Sequence, residues 1–588
     1  MTLSTLATST RSGAELICDA LQRAGVDCVL GLPGTQNVPL YEALRTSNLR
    51  TVVATHELSA AMMANGYFRA SGRTAALVTI PGPGFTWALT GLAEATLDSA
   101  AVLHLVGSPA TTPGVRFQLQ ALDQAALARP LVKAMHQVAN AQDVAGVLAT
   151  AHAQALAGEP GPVLVEIAQA LLEARVPTSR VLPDSRPSEN RPSEHLTSLA
   201  GRVDVDAAIH ALASAGRCVI FAGQGSHAAA PLLVQLAETL SAAVVTTTSG
   251  RGVIAEDHPL SLGFELGGNG AATLNALIDA SDLVLAIGCK FSHNGSHGFR
   301  LRISADKLIH VDASADVLGA NYPARLAICA DAGAFLASVL AQLDQHAPRA
   351  PGFSPDEIAK VREQGRAEGA RDLLVEPRIH GTASGKPEAF FAALRRAMPR
   401  ASCLVTDSGR HQVLARRHFR VLHPRGLITP TNLQSMGFGI GAAIGACLAD
   451  PARPVVALIG DGGLAMSGLE LLTAVRERLR LTVIVFVDGG YGLIRAQQFA
   501  ASGHSHGTQL AGPDCAALAA AVGATHVRVH GDAEAVLAAA LASPGVTVVE
   551  VAVGDTLPMH WMRAKSIARN TPLGRIAKSW LRRRLHRT

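Results

Sequence analysis

Two aspartates, each set beside glycine at the end of an apolar run, are the residues best suited to chemistry in this chain. Asp461 sits between Gly460 and Gly462 after the run 455–459, and Asp488 precedes Gly489 and Gly490 after the run 481–487. A carboxylate beside glycine leaves its oxygens and the nearby main chain open to a ligand. If the two runs are adjacent parallel strands, the acids meet at one end of a sheet. Two hard oxygen ligands there suit Mg²⁺ that also holds a phosphate. The helix expected after Gly462, with Leu469, Leu472, Val475 and Leu479 along one face, turns free N–H groups toward the same anion. Alone, Gly460-Asp461-Gly462 also fits a strand-to-helix turn with Asp as N-cap; the second Asp-Gly-Gly favours the metal. Glu57, in "THELSAAMMANGYFRASG" (55–72), opens another helix, where a first-turn acid is favoured by the helix dipole.

These residues need elements to hold them. The chain has 588 residues, 48% hydrophobic and 16% charged, with mean hydropathy +0.24. That is too long for one core. Stretches rich in Pro, Ser and charge suggest linkers at 176–200 and 346–385, the second followed by a polar helix. They divide the chain into an N-terminal domain (13–175), a central domain (201–345), a C-terminal domain (386–555) and a basic tail (556–588). Each domain alternates short β-rich runs with helical spacing, for example "CVLGLPG" and "AALVTI", "CVIFAG" and "LVLAIG", "PVVALIGDGG" and "TVIVFVDGG". The expected fold is α/β: three parallel-sheet domains in series, covered on both faces. Ligands of open parallel sheets sit at the carboxyl ends of the strands, where both aspartates fall.

Composition also excludes. No apolar stretch reaches the roughly 18–20 residues that span a bilayer, and the first residues lack an apolar signal core, so a cytoplasmic location is expected. The eight cysteines have no metal-ligand spacing and read as small core residues. Nine Lys/Arg and no acid lie in 556–588, so residues 1–555 carry −4 of the total +5. The body therefore does not read as a nucleic-acid binder. In the tail, Leu573, Ile576, Trp580, Leu581 and Leu585 recur at helical spacing among the arginines, as a basic amphipathic helix does. Docking on the body is favoured over attachment to an anionic membrane or an acidic partner.

The Gly-Asp-Gly at 460–462, with Asp488-Gly489-Gly490 about 25 residues on, resembles the thiamine diphosphate motif of the acetolactate synthase-like enzymes. The likeness extends over roughly residues 13–555. It implies the cofactors thiamine diphosphate and Mg²⁺, with the metal held by Asp461, Asp488 and the Gly490 carbonyl. The family usually writes the second signal Asn-Asn or Asn-Asp; Val487 and Asp488 stand there, and a second carboxylate makes the cation more necessary. "TDSGRHQ" (406–412) resembles the family's "TDxGxHQ". Ser408, Gly409, Arg410 and His411 would approach the diphosphate, with Gly460, Gly462 and Gly463, and Arg410 suits phosphate chemically. "NLQSMGFGIGAAIGA" (432–446) resembles the segment that bends the cofactor over a large apolar residue, here Met436. Gln434 replaces a glycine there and still offers its carbonyl to the cofactor's amino group, while its side chain enters a space the relatives keep empty. Gly441 replaces a proline. Glu57 occupies the position of the glutamate that activates the cofactor by a hydrogen bond to its aminopyrimidine.

The same resemblance places Thr35, Gln36, Phe85, Gln118 and Gln120 on the substrate side, from "GLPGTQN", "PGPGFTW" and "RFQLQALDQ". Where acetolactate synthases have "GMVxQWQ", this chain reads "GLIRAQQ" (492–498). Gln497 replaces the acceptor-selecting Trp and Arg495 is near, which suits a polar or carboxylated acceptor. The expected activity is decarboxylation of a 2-oxo acid and carboligation of the acyl unit to an acceptor. The alternatives are a non-carboligating decarboxylase or C–C lyase, or a nucleotide- or flavin-binding protein of this fold that has lost thiamine chemistry. Some members bind FAD or ADP in the central domain. Here "GCKFSHN" (288–294) lacks the acidic pair of flavin-binding relatives, and FAD is not favoured. In the family the cofactor lies between the first domain of one subunit and the third of another, which implies a homodimer or tetramer.

Overall fold

Buried strands of a parallel sheet read as continuous apolar runs because both faces are covered. Such runs, many of them closed by Gly, Ser, Thr or Asp, build this protein. The computed structural model describes residues 10–109, 115–177, 199–264, 271–343, 352–372 and 376–554. They form three six-stranded sheets in which every neighbouring pair is parallel. The N-terminal sheet has the order Arg50–Val53, Cys28–Gly31, Ala75–Thr79, Val102–Ser108, Val163–Ala168, Ala134–Gln137. The central sheet runs Ser261–Gly263, Ala243–Thr246, Cys218–Ala222, Leu283–Ile287, Leu308–Asp312, Leu326–Cys329. The C-terminal sheet runs Leu427–Ile428, Cys403–Thr406, Val455–Gly460, Leu481–Val487, Val546–Ala552, Thr525–Arg528.

The central domain keeps its own core, whereas the first and third share one. The shared core depends on two helices, Glu57–Ser71 and Phe438–Ala449, lined with Ala and Gly. They approach so closely that a β-carbon on Gly445 would lie 1.9 Å from the Met63 carbonyl oxygen, and one on Gly66 2.1 Å from that of Ala442. Gly441 packs against Ser59 and Met62, where a β-carbon would fall 2.9 Å from the Met62 Cβ. The small residues of "SAAMMANGY" and "GIGAAIGA" thus serve helix-to-helix packing. This contact joins the helix that Glu57 opens to the one that follows Met436.

Of the two expected linkers, one lies mostly outside the described residues and the other contains a helix of the central domain. Of the linker at 176–200, residues 178–198 lie outside the described residues, as does the basic tail. Within 346–385, the helix Pro355–Asp372 is part of the central domain rather than a connector. Ile358 and the preceding Phe353 are buried in its core, and the Glu368 carboxylate accepts the Thr273 N–H at 3.0 Å. The helix is polar overall, but a few apolar contacts suffice to anchor it. All eight cysteines are free, and all but Cys329 are buried.

Candidate active site

Adjacent strands with a fixed register bring the two aspartates together. Val455–Gly460 pairs with Leu481–Val487 so that Gly460 faces Phe486; Asp461 and Asp488 follow at the same sheet end. Asp461 is buried. Its Oδ1 accepts the Gly462 N–H at 2.9 Å, and its Oδ2 accepts those of Gly489 at 2.8 Å and Gly490 at 3.2 Å. One carboxylate therefore ties the first turn to the second. Gly490 lies in the left-handed range (φ +156°), and a β-carbon there would strike the Thr508 carbonyl oxygen at 2.0 Å. Its own carbonyl accepts the Gly492 N–H at 2.9 Å and keeps one lone pair.

Asp488 supplies the second carboxylate. Burial raises its pKa and Asp461 adds to the rise, while the Arg410 and Arg495 guanidinium groups oppose it. Its Oδ1 is buried without a protein hydrogen bond. Among the described residues no group of three or more His, Cys, Asp or Glu side chains clusters as a metal site. A cation held here would complete its shell with the Gly490 carbonyl and non-protein oxygens, as Mg²⁺ does when it carries phosphate. The donor set fits that role.

The three glycines near Asp461 are each filled by a different neighbour. A β-carbon on Gly460 would meet the His411 ring at 3.3 Å, one on Gly462 the Tyr491 ring at 3.0 Å and the Met436 methyl at 3.1 Å, and one on Gly463 the Asp407 Oδ2 at 2.5 Å. Met436 thus stands directly beside the turn at Gly462. His411 is buried, which pushes its pKa down to about 4, and its Nε2 has no protein partner. Gly409 has φ +148°, and a β-carbon would fall 2.8 Å from the same ring. The Ser408 N–H donates to Asp407 Oδ1 at 2.7 Å. Gln434 adopts φ +61°, a strained value for a side-chain-bearing residue, which explains a glycine in the family pattern. Its amide folds back to donate to the Thr431 carbonyl at 3.1 Å, so the side chain turns to its own loop.

Glu57 begins its helix behind His56, whose Nδ1 accepts the Leu58 N–H at 3.1 Å. The carboxyl group is buried and its Oε2 has no partner. Tyr41, whose pKa is raised by burial and then by the Glu57 charge, and Gly84, whose β-carbon would lie 3.1 Å from Glu57 Oε1, border it. Thr55, two residues earlier, is tied to the third domain: its Oγ1 donates to buried Glu470 at 2.5 Å and its N–H at 3.0 Å. Buried polar atoms without partners therefore occur at Glu57, His411 and Asp488, residues of the kinds expected at the pyrimidine, diphosphate and metal ends of the cofactor. The chemistry of these groups fits it.

Of the substrate-side candidates, Gln36 and Gln120 meet, with the Gln36 Nε2 donating to the Gln120 Oε1 at 2.5 Å. Gln120 has φ +57°, and its Cβ lies 2.9 Å from where a Gly82 β-carbon would be. Thr35 opens the short 3₁₀ turn that carries Gln36. Gln118 instead donates within its own loop, to the Val115 carbonyl at 2.9 Å. Phe85 departs from expectation: it is wholly buried among Val106, Ala128 and Leu164, stacked on His104 at 6.1 Å. Its helix turns that face inward, so the ring is used in packing. Arg495 donates to the Asp488 carbonyl at 3.1 Å, and Gln497 is exposed on the same helix, Gly492–Ser502.

Sequence reading missed the groups that hold the Met436 segment. Buried Glu94 accepts the Ser435 N–H at 2.9 Å through Oε2, and buried Asp98 accepts the Thr431 N–H at 3.2 Å. Arg69, also buried, donates to Asp98 and to the Thr429 carbonyl, both at 2.8 Å. Burial, then the Asp98 charge, lifts the Glu94 pKa to about 7. Asp407, lifted to about 6 by burial, accepts the Gly437 N–H at 3.0 Å from the other side. The available signal was a pair of acids four residues apart on the otherwise apolar helix Pro83–Leu97 and its cap.

Comparison with known proteins decides the family. Residues 11–127, 205–339 and 407–551 match the models of the N-terminal thiamine pyrophosphate-binding domain, the central domain and the C-terminal thiamine pyrophosphate-binding domain of thiamine pyrophosphate enzymes. The acetolactate synthase isozyme 3 large subunit of Escherichia coli is 30% identical over 525 residues, 88% of this chain and 90% of that protein. The acetolactate synthase large subunit of Parasynechococcus marenigrum is 30% identical over 565 residues, 93% and 88% of the two chains. A probable acetolactate synthase large subunit of Methanocaldococcus jannaschii is 29% identical over 497 residues, 82% and 81%.

The chain belongs to the acetolactate synthase-like family of thiamine pyrophosphate enzymes.

As a thiamine pyrophosphate enzyme it combines three α/β domains, of which the first and third match thiamine pyrophosphate-binding models. A separate cavity of about 270 Å³ adjoins the central domain, lined by Gln224, Thr247, Lys290, Asp312 and Arg425 among others. It includes none of the residues expected to bind thiamine diphosphate. Lys290 and Glu159 form an ion pair at its edge, and burial lifts Asp312 to about 6.

Proposed function

We propose that this chain, with thiamine diphosphate and Mg²⁺, decarboxylates a 2-oxo acid and joins the retained acyl unit to an acceptor. The observation that carries the reading is the buried, unpartnered Oε2 of Glu57 at the head of a helix packed on the Met436 helix. A carboxyl group costs free energy to bury without a partner, and a cofactor ring nitrogen would relieve it. When bound, thiamine diphosphate supplies the electron sink and acyl-anion chemistry. The protein's part is to hold and orient. Glu57 Oε2 would hydrogen-bond to the aminopyrimidine ring. Asp461, Asp488 and the Gly490 carbonyl hold the metal. Ser408, Gly409, Arg410 and His411 would face the diphosphate, and Met436 would support the cofactor's rings. Gln36 and Gln120, joined to each other, and Arg495 with Gln497 border the substrates; the second pair suits an acceptor carrying a carboxylate.

A homodimer completes the site in this reading. Trp87 (55% exposed), Phe117 (94%), Leu119 (80%) and Leu469 (63%) present apolar side chains from the N- and C-terminal domains that a partner copy could cover. Among the described residues no helix is long and apolar enough to cross a membrane. The test is mass spectrometry of products from purified protein with thiamine diphosphate, Mg²⁺ and a panel of 2-oxo acids and acceptors. Condensed products are expected. Glu57→Gln should keep cofactor binding and lose about 10²–10⁴-fold in turnover, the usual share of acid–base catalysis. Wild-type rates in that variant would remove Glu57 from the chemistry.

A further inference from the structure

Arg410 and Asp488 approach each other from different strands. Arg410 opens the helix Arg410–His418, which follows the strand Cys403–Thr406; Asp488 follows Leu481–Val487. Between those strands lies Val455–Gly460, so the arginine reaches across two strand spacings, about 10 Å. Its Nη1 lies 3.4 Å from Asp488 Oδ2, and each side chain is 10% exposed. Its Nη2 donates to the Gly492 carbonyl at 2.5 Å, which fixes the guanidinium over the turn that carries Asp488. The geometry leaves no room for a competing side chain: a β-carbon on Gly492 would lie 1.9 Å from Asp488 Oδ2 and 2.5 Å from Arg410 Nη2.

The charges balance in a telling way. Asp488 stands at the second position of the family's Asn-Asn or Asn-Asp pair, and it adds a negative charge beside Asp461. The diphosphate brings more. One divalent cation would then face two carboxylates and the diphosphate at once, and like charges gathered at low exposure repel strongly. Arg410 stands at a variable position of "TDxGxHQ" and adds one positive charge at the same spot.

We propose that Arg410 and Asp488 act as one charge-compensated unit, in which the guanidinium supplies the positive charge that a second carboxylate in the metal site requires for the diphosphate to bind. This rests on the thiamine diphosphate reading above. Arg410 is then a positioning residue for the phosphate end of the cofactor, and positions 410 and 488 are coupled: either substitution alone unbalances the site, and the two together restore balance.

The test is calorimetric titration of the apo-protein with thiamine diphosphate at several fixed Mg²⁺ concentrations, for wild type, Arg410→Gln, Asp488→Asn and the double variant. Groups in direct contact commonly couple by roughly 3- to 100-fold. Arg410→Gln should weaken thiamine diphosphate binding about tenfold and raise the Mg²⁺ needed for half-saturation. Asp488→Asn should keep the thiamine diphosphate affinity within about threefold of wild type and lower the dependence on Mg²⁺, because Arg410 is released to face the diphosphate. The double variant should return to within about threefold of wild type. Arg410→Lys, which keeps the charge, covers the case that Arg410→Gln does not fold, and should bind more tightly than the glutamine variant or, where that is insoluble, within about tenfold of wild type. Single effects that simply multiply in the double variant, or an Arg410→Gln that binds like wild type, would overturn the proposal while leaving the functional reading intact. Wild-type protein that binds no thiamine diphosphate with Mg²⁺ would overturn the functional reading and the pair with it.

Discussion

Glu94→Gln should make the protein more stable, and increasingly so as the pH rises from 5 to 8. Glu94 is wholly buried and shares its surroundings with Asp98, with which Arg69 ion-pairs. Its pKa rises from the ordinary 4.5 to about 7, first because burial disfavours the charge and then because Asp98 repels it. Between those values the folded protein keeps a proton at Glu94 that the unfolded chain has released. The folded state binds more protons, so stability falls as pH rises. The contribution is fully present below about 4.5 and is lost as pH climbs through about 7. One pH unit corresponds to about 1.4 kcal/mol, which makes the loss about 3 kcal/mol at most. Glutamine is neutral throughout and still offers an amide oxygen to the Ser435 N–H, so the variant escapes the loss. Thermal unfolding of both proteins at fixed ionic strength from pH 5 to 8 measures it. The melting temperatures should nearly coincide at pH 5 and separate in favour of the variant by pH 8. A difference that stays constant, or grows in favour of wild type, would refute the reasoning.

Asp461→Ala removes the acceptor of the Gly489 and Gly490 N–H groups together with a metal ligand; calorimetry should find Mg²⁺-dependent binding of thiamine diphosphate lost, and unchanged binding would exclude Asp461 from the site. Gly445→Ala places a β-carbon 1.9 Å from the Met63 carbonyl oxygen, and should destabilise the shared core by about 3 kcal/mol or more, read as a lower melting temperature or insoluble protein. Gly146→Ala, in the helix Val144–Leu156, meets nothing within 4 Å; it should raise stability by about 0.5–1 kcal/mol, and a lower melting temperature would contradict that.

What the sequence by itself determined is local. Apolar runs closed by Gly-Asp-Gly and Asp-Gly-Gly set two strand ends and their acids, and Glu57 before an Ala-rich run set a helix start. Periodicity and chain punctuation act over a few residues, so twelve of the eighteen strands of the three sheets, the three-domain order and the acids at the sheet ends were legible. Of the six not expected, five are sheet edges or half-exposed and one, Val163–Ala168, lies inside the first sheet. Only the tertiary structure decided which distant groups meet. Arg410 reaches Asp488 because the strand order inserts Val455–Gly460 between their elements. Gln36 finds Gln120 across 84 residues, Glu94 and Asp98 hold 431–435 from another domain, and Phe85 turns into the core. Such contacts follow from sheet order and helix rotation, which are settled by packing the whole chain rather than by any stretch of it.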